Sequence, residues 1–262
     1  MLSVVTITFN NFDELVKTVS SVSGISGIEL VVINGGSCAK TKSYIDKLDL
    51  PGIKVVRVSE RDRGISDAFN KGIRQSTGEA VVFLNSGDTL LDKNYFQRAM
   101  DYLKIHPEIG FTHGSVVFED RIAGDIELKP SLSSLGRGMP YRHQTMIVRK
   151  KIYDELGFFR EDLKVTMDYD FVCRMHKAAV QGWYDRTGPL MKMDGSGVSS
   201  TKELQAYGEV WGILWKYGLL TPQNFYGSLV RYGKYFARAT LVALGLSGLL
   251  ATLKRLKQGS AR

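Results

Sequence analysis

The segment Asn85-Ser86-Gly87-Asp88 follows the apolar run Ala80 to Leu84, so it places a carboxylate where a buried strand ends. Such a group is a hard oxygen ligand, suited to Mg²⁺ or Mn²⁺ carrying a diphosphate. The same residues suit a turn or a helix cap, and the segment by itself leaves both readings open. A second constellation is Asp168-Tyr169-Asp170 with Arg174. Residues two apart on a helix do not share a face, so one carboxylate is free for a reacting atom while the other can pair with Arg174 at i+4. In isolation a capped helix with an internal salt bridge is the commoner explanation of such a segment. Three further polar clusters end strand-like runs: Thr8-Phe9-Asn10, Asn34-Gly35-Gly36-Ser37, and Ser59-Glu60-Arg61-Asp62-Arg63-Gly64. In open α/β sheets ligands bind outside the carboxyl ends of strands, which makes all four clusters candidates. No GxGxxG follows the first run, which argues against a dinucleotide-binding dehydrogenase.

The elements that must hold these groups alternate over the first hundred residues, the pattern of βα units on a largely parallel sheet. The spacing predicts strands over Leu2–Thr8, Leu30–Ile33, Ile53–Val58 and Ala80–Leu84, and helices over Phe12–Val22, Lys40–Leu48 and Ile65–Gln75. In the third helix Ile65, Ala68, Phe69, Gly72 and Ile73 recur at helical spacing. Beyond Asp88 a helix is expected over Asn94–Ile105, then an antiparallel pair, Phe111–Phe118 and Ile122–Leu128. A Gly-, Ser- and Pro-rich loop runs from Lys129 to Arg142, followed by a strand (Thr145–Val148), a helix over Lys151–Leu156 and another from about Thr166. After Lys202 the chain reads as helical and aromatic.

Composition narrows the class. With 262 residues, 44% hydrophobic and 24% charged, the chain is of globular type. Cys38 and Cys173 are far apart with no CxxC, so neither a disulfide framework nor a structural zinc site is indicated and a reducing compartment fits. The amino terminus reads as a first strand rather than a signal peptide. The net charge of +8 does not point to nucleic acid, because Arg231, Lys234, Arg238, Lys254, Arg255, Lys257 and Arg262 supply all but one of it, with no Asp or Glu after residue 230. These bracket the uncharged run Ala239–Leu253, too short to cross a bilayer and suited to an interfacial helix on anionic lipid. A helix packed on the protein's own core or on a second subunit is the other reading of this run.

Taken in order, the segments resemble glycosyltransferase family 2, the inverting enzymes of GT-A fold. The resemblance covers residues 1 to 200 and is most specific over Ser59 to Ile73 (SERDRGISDAFNKGI), followed by Phe83-Leu84-Asn85-Ser86-Gly87-Asp88, then His143-Gln144 and Asp168-Tyr169-Asp170 with Arg174. It implies an α/β fold, a Rossmann-like mixed sheet flanked by helices, divided into a catalytic domain over 1–200, with a nucleotide-binding half (1–90) and an acceptor half (91–200), and a helical, aromatic and basic membrane-associating extension over 201–262. The chain looks like bacterial members that build colanic acid, O-antigen or capsule repeat units on a lipid carrier. By the same resemblance Thr8, Phe9, Asn10, Asn34, Gly35 and Asp62 contact the nucleotide, and Asp67 and Lys71 lie beside the nucleotide and donor sugar. Asn85, Ser86 and Gly87 count among the substrate- and nucleotide-binding residues, and Asp88 is the metal ligand. Asp168 takes the position of the catalytic base, supported by Asp170 and Arg174, with His143 and Gln144 on the acceptor side.

The implied donor is a nucleotide-diphosphate sugar, UDP being favoured, with Mn²⁺ or Mg²⁺ as cofactor. The implied acceptor is a lipid-linked glycan of polyprenyl diphosphate type. Location is then cytoplasmic and peripheral, on the inner face of the cytoplasmic membrane, through residues 231–262; a homo-oligomer is left open. Two departures bear on this. Asn34 replaces an expected carboxylate, and Ser86 replaces the first Asp of the metal motif, leaving Asp88 as the single carboxylate there. A sugar-phosphate nucleotidyltransferase would need a glycine-rich basic loop after the first strand, which Phe9-Asn10-Asn11-Phe12 does not provide. A member that binds nucleotide sugar or partner enzymes without turnover is the remaining alternative.

Overall fold

Runs of β-branched and aliphatic residues open the chain as neighbouring parallel strands: β1 (Leu2–Thr8), β2 (Ile28–Asn34), β3 (Lys54–Ser59) and β4 (Ala80–Phe83). β2 is buried along its whole length, as expected of a strand covered on both faces, whereas β3 alternates exposed and half-buried residues at the sheet edge. A computed structural model describes residues 1–120, 124–131, 135–194 and 202–244. Helices α1 (Phe12–Val22), α2 (Ala39–Lys47) and α3 (Ile65–Gln75) connect the strands. Leu15, Thr18, Val19 and Val22 put one face of α1 on the sheet. Gly72 lets α3 approach β1 closely, since a Cβ there would fall 2.3 Å from Val5 Cγ1.

After β4 the sheet turns mixed. Its order is β3-β2-β1-β4-β8-β6-β9-β5, with β7 paired to β6. β8 (Ile147–Arg149) runs antiparallel to both β4 and β6 (Ile109–Asp120), and β7 (Gly124–Leu128) is antiparallel to β6. β9 (Gln181–Met193) lies parallel to β6, and the short β5 (Thr89–Leu90) closes the edge. One face is covered by α1, α2 and α4 (Tyr95–Ile105). The other is covered by α3, α5 (Lys150–Leu156), α6 (Met167–Lys177) and α7 (Glu203–Lys216), whose Val210, Ile213 and Leu214 join that core. The last described helix is α8 (Pro222–Ala243).

Most expected elements are present with ends moved by one or two residues. β5 and β9 are not in the sequence reading. The strand expected over Thr145–Val148 begins only at Ile147, because His143–Thr145 forms a 3₁₀ turn. The expected loop Lys129–Arg142 contains a 3₁₀ turn at Leu135–Arg137. Ile122, and the part of the uncharged run beyond Leu244, lie outside the described residues. No helix among the described residues is long and apolar enough to cross a membrane.

Candidate active site

The parallel register aligns the polar strand ends. Thr8 pairs with Asn34, and Asn34 with Ser59, forming one row at the carboxyl edge of β1, β2 and β3. Thr8 Oγ1 and Asn34 Nδ2 are buried there with no hydrogen-bond partner in the protein, although Asn34 Oδ1 accepts from Gly36 N at 3.1 Å. Buried polar groups are nearly always satisfied, so an orphaned acceptor and donor side by side mark a place for a ligand. Asn10 adopts φ 54, and its Oδ1 accepts from Cys38 N at 2.8 Å, which folds the loop after β1 onto the loop after β2. Phe9 beside it is exposed.

Gly35 is required by close approach: a Cβ on it would stand 1.8 Å from Asp62 Oδ2, so the Asp62 carboxylate lies directly over the Gly35 backbone. Asp62 accepts from Lys71 Nζ at 2.8 Å; the same ammonium reaches Glu60 at 3.1 Å and Asp67 at 3.4 Å. Burial opposes ionisation of Asp67, but hydrogen bonds from the Arg63 backbone and guanidinium and from Lys71 prevail and hold its carboxyl down at about 2. Burial acts against the Lys71 charge too, and hydrogen bonds to Asp62 and Glu60 push its affinity for the proton well above the usual lysine range. Asp62, Asp67 and Lys71 thus form one charged network beside the Thr8–Asn34 row.

The turn after β4 is fixed from α1. Thr18 Oγ1 lies 2.7 Å from Asp88 O and accepts from Gly87 N at 3.0 Å, while Ser86 Oγ donates to Asn11 O at 3.3 Å. Gly87 has φ 104, a conformation that favours glycine, and Asn85 Oδ1 is buried without a partner. Asp88 is 5% exposed. Burial, with the like charge of Asp194 adding to it, raises its carboxyl to about 7 despite hydrogen bonds from Asp194 N, the Gln144 side chain and Asn85. Asp194 N donates to Asp88 Oδ1 at 3.1 Å, and the Asp194 carboxylate packs on Gly87. The sequence reading misses Asp194. Its only signal is its place at the end of β9, a strand whose Gly182, Gly188 and Pro189 hide the alternation.

On the other flank, Asp168 and Asp170 diverge from the first turn of α6. Asp170 is fully buried and accepts from Arg160 Nη1 at 3.2 Å, Arg174 Nε at 2.9 Å and Tyr217 Oη at 2.9 Å. Arg174 extends this anchor to the carbonyls of Leu156, Gly157 and Phe158. Asp168 remains partly exposed, its Oδ2 3.5 Å from His143 Nδ1. Burial lowers the proton affinity of His143, with Asp168 pulling the other way. His143 and Gln144 therefore span the site: the imidazole stands against Asp168 and the neighbouring amide bonds Asp88.

The residues suit a divalent cation. Asp88 and Asp194 form a carboxylate pair whose mutual repulsion a dication would relieve, although no group of three His, Cys, Asp or Glu forms a cage among the described residues. A cavity of about 600 Å³ lies elsewhere, behind α6, lined mainly by apolar groups such as Leu135, Pro140, Val172, Met175 and Leu219, with no carboxylate.

The sequence profile described as glycosyl transferase family 2 matches residues 3–180. The chain belongs to glycosyl transferase family 2. An uncharacterized glycosyltransferase of Mycobacterium tuberculosis is 30% identical over 233 residues, covering 86% of each chain. Among solved structures, Staphylococcus aureus TarS 1–349 in complex with UDP-GlcNAc superposes with a TM-score of 0.64 at 17% identity, covering 93% of this chain and 75% of that one. The mannosyltransferase PcManGT from Pyrobaculum calidifontis, in complex with GDP-Man and Mn²⁺, gives 0.61 at 16% identity, covering 97% and 79%. At these identities the likeness shows the fold, a GT-A-like mixed sheet flanked by helices. This family 2 member is a glycosyltransferase that takes its sugar from a nucleotide sugar.

Proposed function

We propose that this glycosyltransferase transfers a hexose, with inversion, from a UDP-sugar to a hydroxyl of a lipid-linked glycan in bacterial surface polysaccharide synthesis. It works as a peripheral protein at the cytoplasmic face of the membrane. The observation that carries this reading is the His143-Gln144 dipeptide touching both Asp168 and Asp88. A carboxylate for the acceptor and one for the departing diphosphate are then linked by two consecutive residues.

Thr8 Oγ1 and Asn34 Nδ2 offer an acceptor and a donor to the nucleotide, and Asp62 is set over Gly35 for the base or ribose. Lys71, held among Asp62, Asp67 and Glu60, presents positive charge near the donor sugar. Asp88 and Asp194 would hold Mn²⁺ or Mg²⁺, which when bound supplies charge stabilisation for the leaving nucleotide diphosphate. Asp168 accepts the proton of the acceptor hydroxyl as that oxygen bonds to the anomeric carbon and the bond to the diphosphate oxygen breaks. The His143 ring, whose proton affinity burial lowers, stands with Nδ1 3.5 Å from Asp168 Oδ2 and orients that carboxylate. Two findings outside the chain agree with this donor chemistry: one fold neighbour is in complex with UDP-GlcNAc and another with GDP-Man and Mn²⁺.

The test combines donor screening with one substitution. A thermal-shift panel of nucleotide sugars with Mn²⁺ is expected to yield a stabilising UDP-sugar. Asp168→Asn should retain that stabilisation while transfer falls by about 10²- to 10⁴-fold. Near-normal transfer by Asp168→Asn would remove the base assignment.

A further inference from the structure

The helix that closes the described chain has two faces. Asn224, Ser228 and Arg231 of α8 face inward. Gly136 N donates to Asn224 Oδ1 at 3.2 Å, Ser228 Oγ donates to Gly136 O at 3.1 Å, and the Arg231 guanidinium packs on Gly138. Tyr232 stacks obliquely on Tyr207 of α7 at 4.9 Å. The outward face carries Phe225, Tyr226, Leu229, Phe236 and Leu244, each 43% to 67% exposed, joined by the small exposed residues Gly233, Ala237 and Thr240. At steps of three and four residues these form one apolar stripe along the helix and into the residue after it.

We infer that this stripe lies in the surface of an anionic lipid bilayer, with α8 parallel to the membrane and its rings and aliphatic groups at the headgroup boundary. Charge selects the occupant. Of the three basic residues of α8, Arg231 packs inward on Gly138 and Arg238 pairs with Glu203 of α7, while Lys234 is exposed, and beyond residue 244 the sequence adds four more basic residues and no Asp or Glu. A second copy would carry the same excess of positive charge, whereas anionic headgroups neutralise it. The apolar stripe starts at Phe225, ahead of the basic tail, so the docking element is longer than charge alone indicates. Its inner face grips the turn Leu135–Arg137, and Leu135 O accepts from Tyr169 Oη at 2.9 Å, on the residue that follows Asp168. The docking helix and the Asp168 segment are thus joined through one hydrogen-bonded turn.

This inference deepens the lipid-linked acceptor reading but is tested with neither donor nor acceptor present. The full chain is sedimented with phosphatidylcholine vesicles and with vesicles containing 30% phosphatidylglycerol, at low and high NaCl. Leu229→Glu with Phe236→Glu serves as the variant and analytical ultracentrifugation as the check on self-association. Binding to the anionic vesicles at least tenfold above the neutral ones, weakened by salt and reduced tenfold or more in the variant, is the expected result. Equal binding by the variant and the parent, no binding at all, or a dimer that the variant abolishes would overturn it. Because both substitutions sit on exposed positions, donor-induced thermal stabilisation should be unchanged in the variant. Loss of that stabilisation in the parent would count against the transferase reading alone.

Discussion

Asp88 gives the site its pH response. An unfolded aspartate ionises near 4, whereas burial and Asp194 move the folded carboxyl to about 7. Between these values the folded state binds the extra proton, so this group lowers stability progressively as pH rises from about 4 to about 7, with no further loss above. Asp88→Asn should flatten that slope and, without metal, melt higher than the parent at pH 8. In the parent, Mn²⁺ should stabilise more at pH 8 than at pH 5, because the ligand must be ionised. Melting curves at both pH values, with Mn²⁺ and with chelator, check both expectations; a parent indifferent to metal at pH 8 would remove Asp88 from that role.

Two contacts between elements hold the machinery. Thr18 of α1 binds the backbone on both sides of the Gly87–Asp88 peptide, so Thr18→Val leaves buried backbone groups unpaired. A cost of about 1–3 kcal/mol is expected in urea unfolding, together with weaker metal-dependent donor binding. Gly72→Ala would push α3 off Val5 of β1 and is expected to cost about 1–3 kcal/mol by overpacking, seen in the same measurement. The strands and helices before Asp88 were legible because each repeats a period of its own over a short window. β9 was not. Its pairing with β6 has register shifts between His113 and Ser115 and again between Ser115 and Val116, and no local alternation survives in Gly182 to Pro189.

At the scale of the molecule the two ends of the parallel sheet are treated oppositely. The amino ends are tied by Glu29, fully buried, which accepts from Ser3 Oγ at 2.6 Å, Thr77 Oγ1 at 2.7 Å and Lys54 Nζ at 3.1 Å. Burial opposes its charge, but these bonds win and hold the carboxyl at about 2. That stability is complete above the ordinary glutamate range near 4.3 and is lost as pH falls toward 2. Glu29→Ala should cost about 3 kcal/mol at pH 7 in urea unfolding and much less near pH 2. The carboxyl ends instead keep the unpartnered Thr8 and Asn34 atoms that suit them to a ligand. The sequence by itself determined the parallel half and the strand-end clusters, and from Ser59 to Asp88 it carried the resemblance that the family match supports, because those signals are local in the chain. Only the tertiary structure decided that Asp194 meets Asp88 across 106 residues, that His143 and Gln144 join two carboxylates, and that α8 has a gripping face and an open one. Such contacts follow from how distant segments pack, and no spacing within one segment encodes them.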